Sequence, residues 1–246
     1  MKTLFISDLH LSEHRPELTA AFLRFLQEEA RQAEALYILG DLFDFWIGDD
    51  EASALNRNVA AALLALNRQG VRLYFVHGNR DFLLGERYAR QAGLILLSTQ
   101  SQLDLYGQRV VVLHGDTLCT DDKAYQRFRR LVHWRWLRAL FLALPLAWRI
   151  QLAQKIRRRS RHGKQLKSAA IMDVTPQAVD QLLTDTGASL LIHGHTHRPA
   201  VHALPDGAQR LVLGDWDQDL WYLELSAQGA KQHRRPIPPV AKTAGL

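Results

Sequence analysis

Apolar runs of five or six residues alternate with longer stretches of helical spacing through the first third of the chain. Residues 3–7 (Thr-Leu-Phe-Ile-Ser) are bulky and apolar enough for a buried strand. Residues 16–31 then place Leu18, Ala21, Phe22, Phe25 and Leu26 on one helical face, behind a Pro16 that suits a first helical turn. The rhythm repeats with a strand at 35–39, a helix at 53–68 closed by Gly70, and a strand at 71–76. Strand–loop–helix order of this kind predicts a largely parallel sheet.

From Leu94 the pattern shortens. Strands are expected at 94–97, 102–105 and 109–113, with a tight turn at Tyr106-Gly107-Gln108. A helix follows at 175–186 behind Pro176, then strands at 189–192, 200–204, 210–213 and 220–225, so the second half is expected to form a second sheet. The tail, 231–246, carries Pro236, Pro238 and Pro239 and reads as an extended peripheral arm.

The strand ends carry the polar signatures. In order they are Asp8-Leu9-His10, Gly40-Asp41-Leu42-Phe43-Asp44, Gly78-Asn79-Arg80-Asp81, His114-Gly115-Asp116 and Gly194-His195-Thr196-His197. Asp8 or Asp41 alone reads as a cap or turn residue. Several strands delivering carboxylate, imidazole and amide to one sheet edge, where parallel sheets bind ligands, read as a site. Oxygen and imidazole donors without thiolate favour Mn, Fe or Zn. A cation pair about 3.5–4 Å apart would acidify a water and clamp the oxygens of an in-line displacement. His77 and His193, beside motif glycines, read as packed or supporting histidines.

Composition changes the picture in two places. The single cysteine, Cys119, rules out an internal disulfide and reads as a small buried apolar residue. The opening residues reach an acidic side chain too early for a secretory signal, and no run of about 18 apolar residues is present. The net charge of +6 is unevenly spread: residues 121–167 hold fourteen Lys and Arg against two Asp. The same segment holds Trp134, Trp136, Leu137, Leu140, Phe141, Leu144, Leu146, Trp148 and Ile150, broken by Pro145. Three readings stand beside one another: a helical subdomain with its own small core, an interfacial amphipathic element, and a nucleic-acid surface.

The five signatures together resemble those of the calcineurin-like metallophosphoesterases. The resemblance implies an α/β fold, a β-sandwich flanked by helices, with a core of 1–120 and 168–246 and 121–167 inserted as a helical lid. It implies one cation held by Asp8, His10, Asp41 and His197 and a second by Asp41, Asn79, His114 and His195. The chain departs from the family's usual Gly-Asn-His pattern at Arg80. Arginine does not give up a proton near neutral pH but grips phosphate bidentately, which points to charge stabilisation and a pyrophosphate bond. With the insertion, the Asp121-Asp122-x-x-Tyr125 start and the stretch 160–167, the chain is similar to the UDP-2,3-diacylglucosamine pyrophosphohydrolase branch of that family. That likeness implies two Mn²⁺ per chain and water attack on the α-phosphorus of UDP-2,3-diacylglucosamine, giving UMP and 2,3-diacylglucosamine 1-phosphate for lipid A. It implies Asn79, Arg80, Asp122, Ser160, Lys164, Lys167 and His195 as substrate contacts, with Asp41, Asn79, Arg80 and His195 catalytic. A monomer peripheral to the cytoplasmic face of the inner membrane is expected, with no nucleic-acid partner.

Overall fold

A computed structural model describes residues 1–165 and 173–238, with the backbone alone for 157–165 and 206. In chain order, β1 (Lys2–Ile6), α1 (Pro16–Glu28), β2 (Ala35–Leu39), α2 (Ala54–Arg68), β3 (Arg72–Val76), α3 (Glu86–Ala92) and β4 (Leu94–Leu96) form the expected alternation. Then come β5 (Gln100–Leu105), β6 (Gln108–Leu113), α4 (Lys123–Val132), α5 (Arg135–Ala143), α6 (Leu146–Gln165) and α7 (Pro176–Thr186). The remaining strands are β7 (Leu190–His193), β8 (Ala200–Ala203), β9 (Gln209–Val212), β10 (Asp219–Ser226) and β11 (Gly229–Pro236). One sheet has the order β11-β10-β1-β2-β3-β4 and the other β5-β6-β7-β9-β8. Within them β1 through β4 run parallel, as do β6, β7 and β9.

Period-two alternation sorts the central strands between layers. Leu4 and Ile6 of β1, Leu36 and Ile38 of β2, and Leu73 and Phe75 of β3 pack toward the helices, against Phe22, Phe25, Val59 and Leu63. Phe5, Tyr37, Leu39 and Val76 face the other way and meet Val110, Val112, Leu190 and Ile192 between the sheets. Val111, Leu113 and Leu191 turn outward again onto Val179 and Leu182 of α7. With both faces buried, these strands read as continuous apolar runs, and that made them visible in the sequence. Cys119 is buried in the α7 layer, as expected of a packed thiol.

Three expectations are corrected. Strand β4 belongs to the first sheet, with Phe75 opposite Leu96, because α3, too short to show a helical repeat, supplies one more crossover. Strand β10 also joins the first sheet, antiparallel to β1. The start of the tail is not a peripheral arm: β11 pairs with β10 from Ser226–Gly229 to Asp219–Pro236. Lys231, Gln232, Arg234 and Arg235 fill this edge strand, a composition that protects an edge but shows no apolar pattern. Residues 239–246 of the tail lie outside the described residues.

The insertion is helical, and Pro145 separates α5 from α6 as its restriction on the preceding residue requires. None of its described apolar side chains is fully buried, so the described part closes no core of its own. It is fastened by polar contacts at its start and again at Arg149. Tyr125 Oη and Arg129 Nε donate to Asp116 Oδ2, each at 2.6 Å. Arg149, only 2% exposed, donates from its guanidinium to Ile47 O at 2.6 Å and pairs with Asp50. Between these fastenings Phe141 packs on the main core and His133 stacks on Phe82.

Candidate metal centre

Every expected ligand leaves the carboxyl end of a parallel strand: Asp8 and His10 after β1, Asp41 after β2, Asn79 after β3, His114 after β6, His195 and His197 after β7. Five of the seven sit at positive φ: Asp8 at 57°, His10 at 50°, Asp41 at 53°, His195 at 68° and His197 at 56°. Left-handed backbone at non-glycine residues costs roughly 1–3 kcal/mol each and persists where the surroundings enforce it. Here the loops enforce it on one another. Asp8 N donates to Gly40 O at 3.1 Å, His10 N to Asp41 O at 3.0 Å, and His195 N to Asp8 Oδ2 at 2.8 Å.

The sharp turns bring the side chains together from both sheets. Among the described residues, Asp8, His10 and His197 form one group whose donor atoms lie within 4.8 Å of one another, and Asp8, Asp41 and His114 form another. Asp8 is common to both groups. Asp41 spans them as well: its Oδ2 lies 3.9 Å from His10 Nδ1 and its Oδ1 3.8 Å from His114 Nε2. His114 Nδ1 donates to Leu39 O at 2.8 Å, which turns Nε2 toward Asn79 Oδ1 and His195 Nδ1, both at 3.1 Å. Asp8 Oδ1 and His10 Nδ1 are buried without a hydrogen-bond partner among the described residues. Buried polar atoms of that kind are costly unless something coordinates them, so the donor set fits a pair of divalent cations.

The protein's own charges tell the same story. Burial raises Asp41 to about 6, offset in part by His114. Burial pushes against ionisation of Asp8 too, but contact with His197 and the charges of His114 and His10 hold it far below the usual carboxylate range. Burial lowers His114, yet Asp41 and Asp8 outweigh it and raise the ring to about 9. His197 rises to about 10 in the same way, against burial, through Asp215 and Asp8. His10 is lowered to about 4 by burial, which leaves it neutral. Cations that take these positions must displace the protons on His114 and His197. Metal uptake at pH 7 is therefore expected to release protons, and affinity to tighten as pH rises toward 9, by up to about tenfold per unit for each proton displaced. Calorimetric titration in buffers of different ionisation enthalpy checks it; uptake without proton release is the contrary result.

Several side chains that hold the site were given no role from the sequence, although Asp81 stood in one of its signatures. Asp81 is fully buried and accepts from Asp41 N at 3.2 Å, Leu42 N at 2.7 Å and Gly78 N at 2.9 Å, tying two ligand loops together. Asp215 lies 3.1 Å from His197 Nδ1 and so aims Nε2 at Asp8 Oδ1, 3.3 Å away. Its signal was available: Gly214-Asp215 after β9 repeats the Gly-Asp step of 40–41 and 115–116. Asp49 holds the loop after β2, accepting from Trp46 Nε1, Gly85 N and Tyr88 N. His77 and His193 bond to main-chain carbonyls, as expected of supporting residues.

Of the expected substrate contacts, Asn79, Arg80 and His195 stand at the centre. Arg80 Nε is 4.0 Å from Asp41 Oδ2 and its Nη1 is 4.0 Å from Asp44. The His195 ring stacks at 6.2 Å on Tyr125 of the insertion. Asp122 caps α4, accepting from Tyr125 N at 3.0 Å. Ser160 and Lys164 lie on the α6 stretch described for backbone alone, and Lys167 lies outside the described residues.

A two-layered sheet core with paired carboxylate and histidine clusters at one strand end defines a metallophosphoesterase. The calcineurin-like phosphoesterase family profile matches residues 1–199, and the chain belongs to that family. Its particular likeness is to the UDP-2,3-diacylglucosamine hydrolases. That of Tolumonas auensis is 52% identical over 241 residues, spanning 96% of this chain and 98% of its own. That of Serratia proteamaculans is 55% identical over 240 residues, spanning 96% and 100%. Among solved structures, an archaeal phosphodiesterase shares the fold with a TM-score of 0.50 at 11% identity, covering 96% of this chain and 100% of its own.

Proposed function

We propose that this chain hydrolyses the pyrophosphate bond of UDP-2,3-diacylglucosamine, giving UMP and 2,3-diacylglucosamine 1-phosphate for lipid A synthesis. The observation that carries the reading is similarity above 50% to hydrolases of that name along nearly the whole chain, insertion included. Next to the insertion, whose Tyr125 stacks on His195, lie two clusters that could each hold a cation. Asp8, His10, Asp41 and His197 hold one cation and Asp41, Asn79, His114 and His195 the other, with Mn²⁺ as the resident metal. When bound, the pair supplies a water of lowered pKa and neutralises phosphate charge.

The chain's own residues do the rest. Arg80, held between Asp41 and Asp44, grips the phosphates and offsets the charge that develops in displacement. The leaving group is a sugar phosphate and needs little protonation, so an arginine serves where an alkyl ester would need an acid. Asn79 and His195 orient the attacked phosphate, and the likeness to the hydrolases adds Asp122, Ser160, Lys164 and Lys167 as substrate contacts. Hydrolysis in ¹⁸O-labelled water with Mn²⁺ is expected to put the label in UMP, which locates attack at the α-phosphorus. Label in the lipid product, or no turnover of the UDP-lipid, overturns the reading.

The lid also meets the lipid. Among the described residues, no helix is long and apolar enough to cross a membrane. Yet Trp134, Trp136 and Trp148 are 54%, 61% and 63% exposed in a segment that also carries Arg130, Arg135 and Arg138. That surface receives the acyl chains and rests peripherally on the cytoplasmic face of the inner membrane. Replacing the three tryptophans by serine is expected to cut co-sedimentation with anionic vesicles at least tenfold, with Tm within about 2 °C because none is buried; unchanged binding contradicts the lipid-facing role.

A further inference from the structure

A hollow of about 400 Å³ opens beside the ion site, within the range of small-molecule pockets, roughly 300–1,000 Å³. Its walls are the continuations of the two loops that carry His10 and Asp41. Leu11 N donates to Leu42 O at 2.9 Å and Asp44 N to Leu11 O at 3.1 Å, so the two walls are stitched together. Phe43, Phe45 and Leu55 supply apolar surface, and Gln154 of α6 also lines it. A group attached to a phosphate at the ions lies one loop step from this space, because Asp44 lines it and also contacts Arg80.

The polar lining decides what fits. Glu13, His14, Asp44 and Glu51 all face the hollow, and no Lys or Arg is among its described lining residues. The Glu13 and Glu51 carboxylates accept no hydrogen bond among the described residues, and burial together with Glu13 and Asp50 disfavours the charge on Glu51. A second phosphate is repelled here, and an acyl chain would bury carboxylates against methylenes with no donor supplied. A neutral group with a flat apolar face and several O–H and N–H donors meets both demands. Acidic side chains recognise a ribose diol in this way in dinucleotide sites.

We infer that this hollow receives the uridine of the substrate, with Glu13 and Glu51 accepting hydrogen bonds from the ribose hydroxyls and the phenylalanines lying along the base. The inference rests on the proposed function and deepens it: the two halves of the substrate leave the ion site by separate routes, lipid along the lid and nucleoside into the acidic hollow.

Product inhibition tests it on the full, Mn²⁺-loaded chain. UMP, 2′,3′-dideoxy-UMP and diacylglucosamine 1-phosphate are titrated as inhibitors of wild type, Glu13→Gln and Glu51→Gln. The Ki for UMP is expected to rise at least tenfold in Glu51→Gln and severalfold in Glu13→Gln, whose exposed position keeps folding out of question. Dideoxy-UMP is expected to bind all three alike, and the lipid product's Ki to stay unchanged. A UMP Ki unmoved in both variants overturns the inference alone, as does a weakened lipid product, which would put an acyl chain in the hollow. A wild type that does not hydrolyse the UDP-lipid overturns the proposed function and the inference together.

Discussion

Asp41→Asn is expected to lower kcat by on the order of 10³-fold or more, as for a residue acting within a catalytic unit, while the protein still folds. Asp41 follows Gly40 at φ 53° and is 2% exposed. One oxygen accepts from Arg80 N at 2.8 Å and faces His114, and the other faces His10, so a single carboxylate serves both clusters. Asparagine tolerates this backbone and keeps an acceptor for Arg80 N, so what is lost is the charge between two cations. Asp41→Ala adds a left-handed alanine and an unpaired buried N–H, and is expected to lower Tm as well as abolish turnover. Arg80→Ala separates the roles: kcat falls about 10²–10³-fold while bound metal stays near the wild-type amount. Turnover at saturating Mn²⁺ and elemental analysis of the same samples check all three. Full activity in Asp41→Asn would sink the two-cation site.

Gly78→Ala is expected to cost at least about 10²-fold in kcat, as for a roughly 1 Å displacement at a reacting centre, and to lower Tm by several degrees. A methyl at Gly78 would fall inside contact distance of the Asp41 carboxylate and amide nitrogen. The Gly40 and Gly78 turns pack backbone on backbone, since a Cβ built on Gly40 would stand 2.6 Å from Gly78 Cα. Asp81 bridges them, so neither can retreat without losing buried hydrogen bonds. Such overpacking typically costs 1–3 kcal/mol. Gly194→Ala is the counterpart in the second sheet, where the methyl would meet Ser7 Oγ and the Asp8 carboxylate. Thermal unfolding and kcat read together are the measurement; wild-type values for Gly78→Ala would mean the turns are looser than their packing implies.

The legibility of this chain follows burial. Strands β1, β2 and β3 are covered on both faces, so their apolar runs stand out and end within a residue of where they were expected. Strand β11 is an edge strand of charged residues, and its pairing with β10 left no apolar trace. The expected donors were legible because several strand ends carry carboxylate, imidazole and amide together, where any one alone reads as a cap or turn residue. The supporting roles of Asp81 and Asp215 were not, because a carboxylate that holds a loop looks the same in sequence as one that caps a turn.

By itself the sequence determined the alternation of buried strands and helices, the chemical identity of the donors and the basic, aromatic character of the insertion. These follow from local periodicity and side-chain chemistry, which neighbours in the chain suffice to express. Tertiary structure alone decided that Asp8 meets His197 across 189 positions, that five of the expected ligands share a left-handed backbone, and that none of the insertion's described apolar side chains is fully buried. Those depend on how two sheets stack and which loops then face each other, and contacts so distant in the chain leave no periodic mark along it.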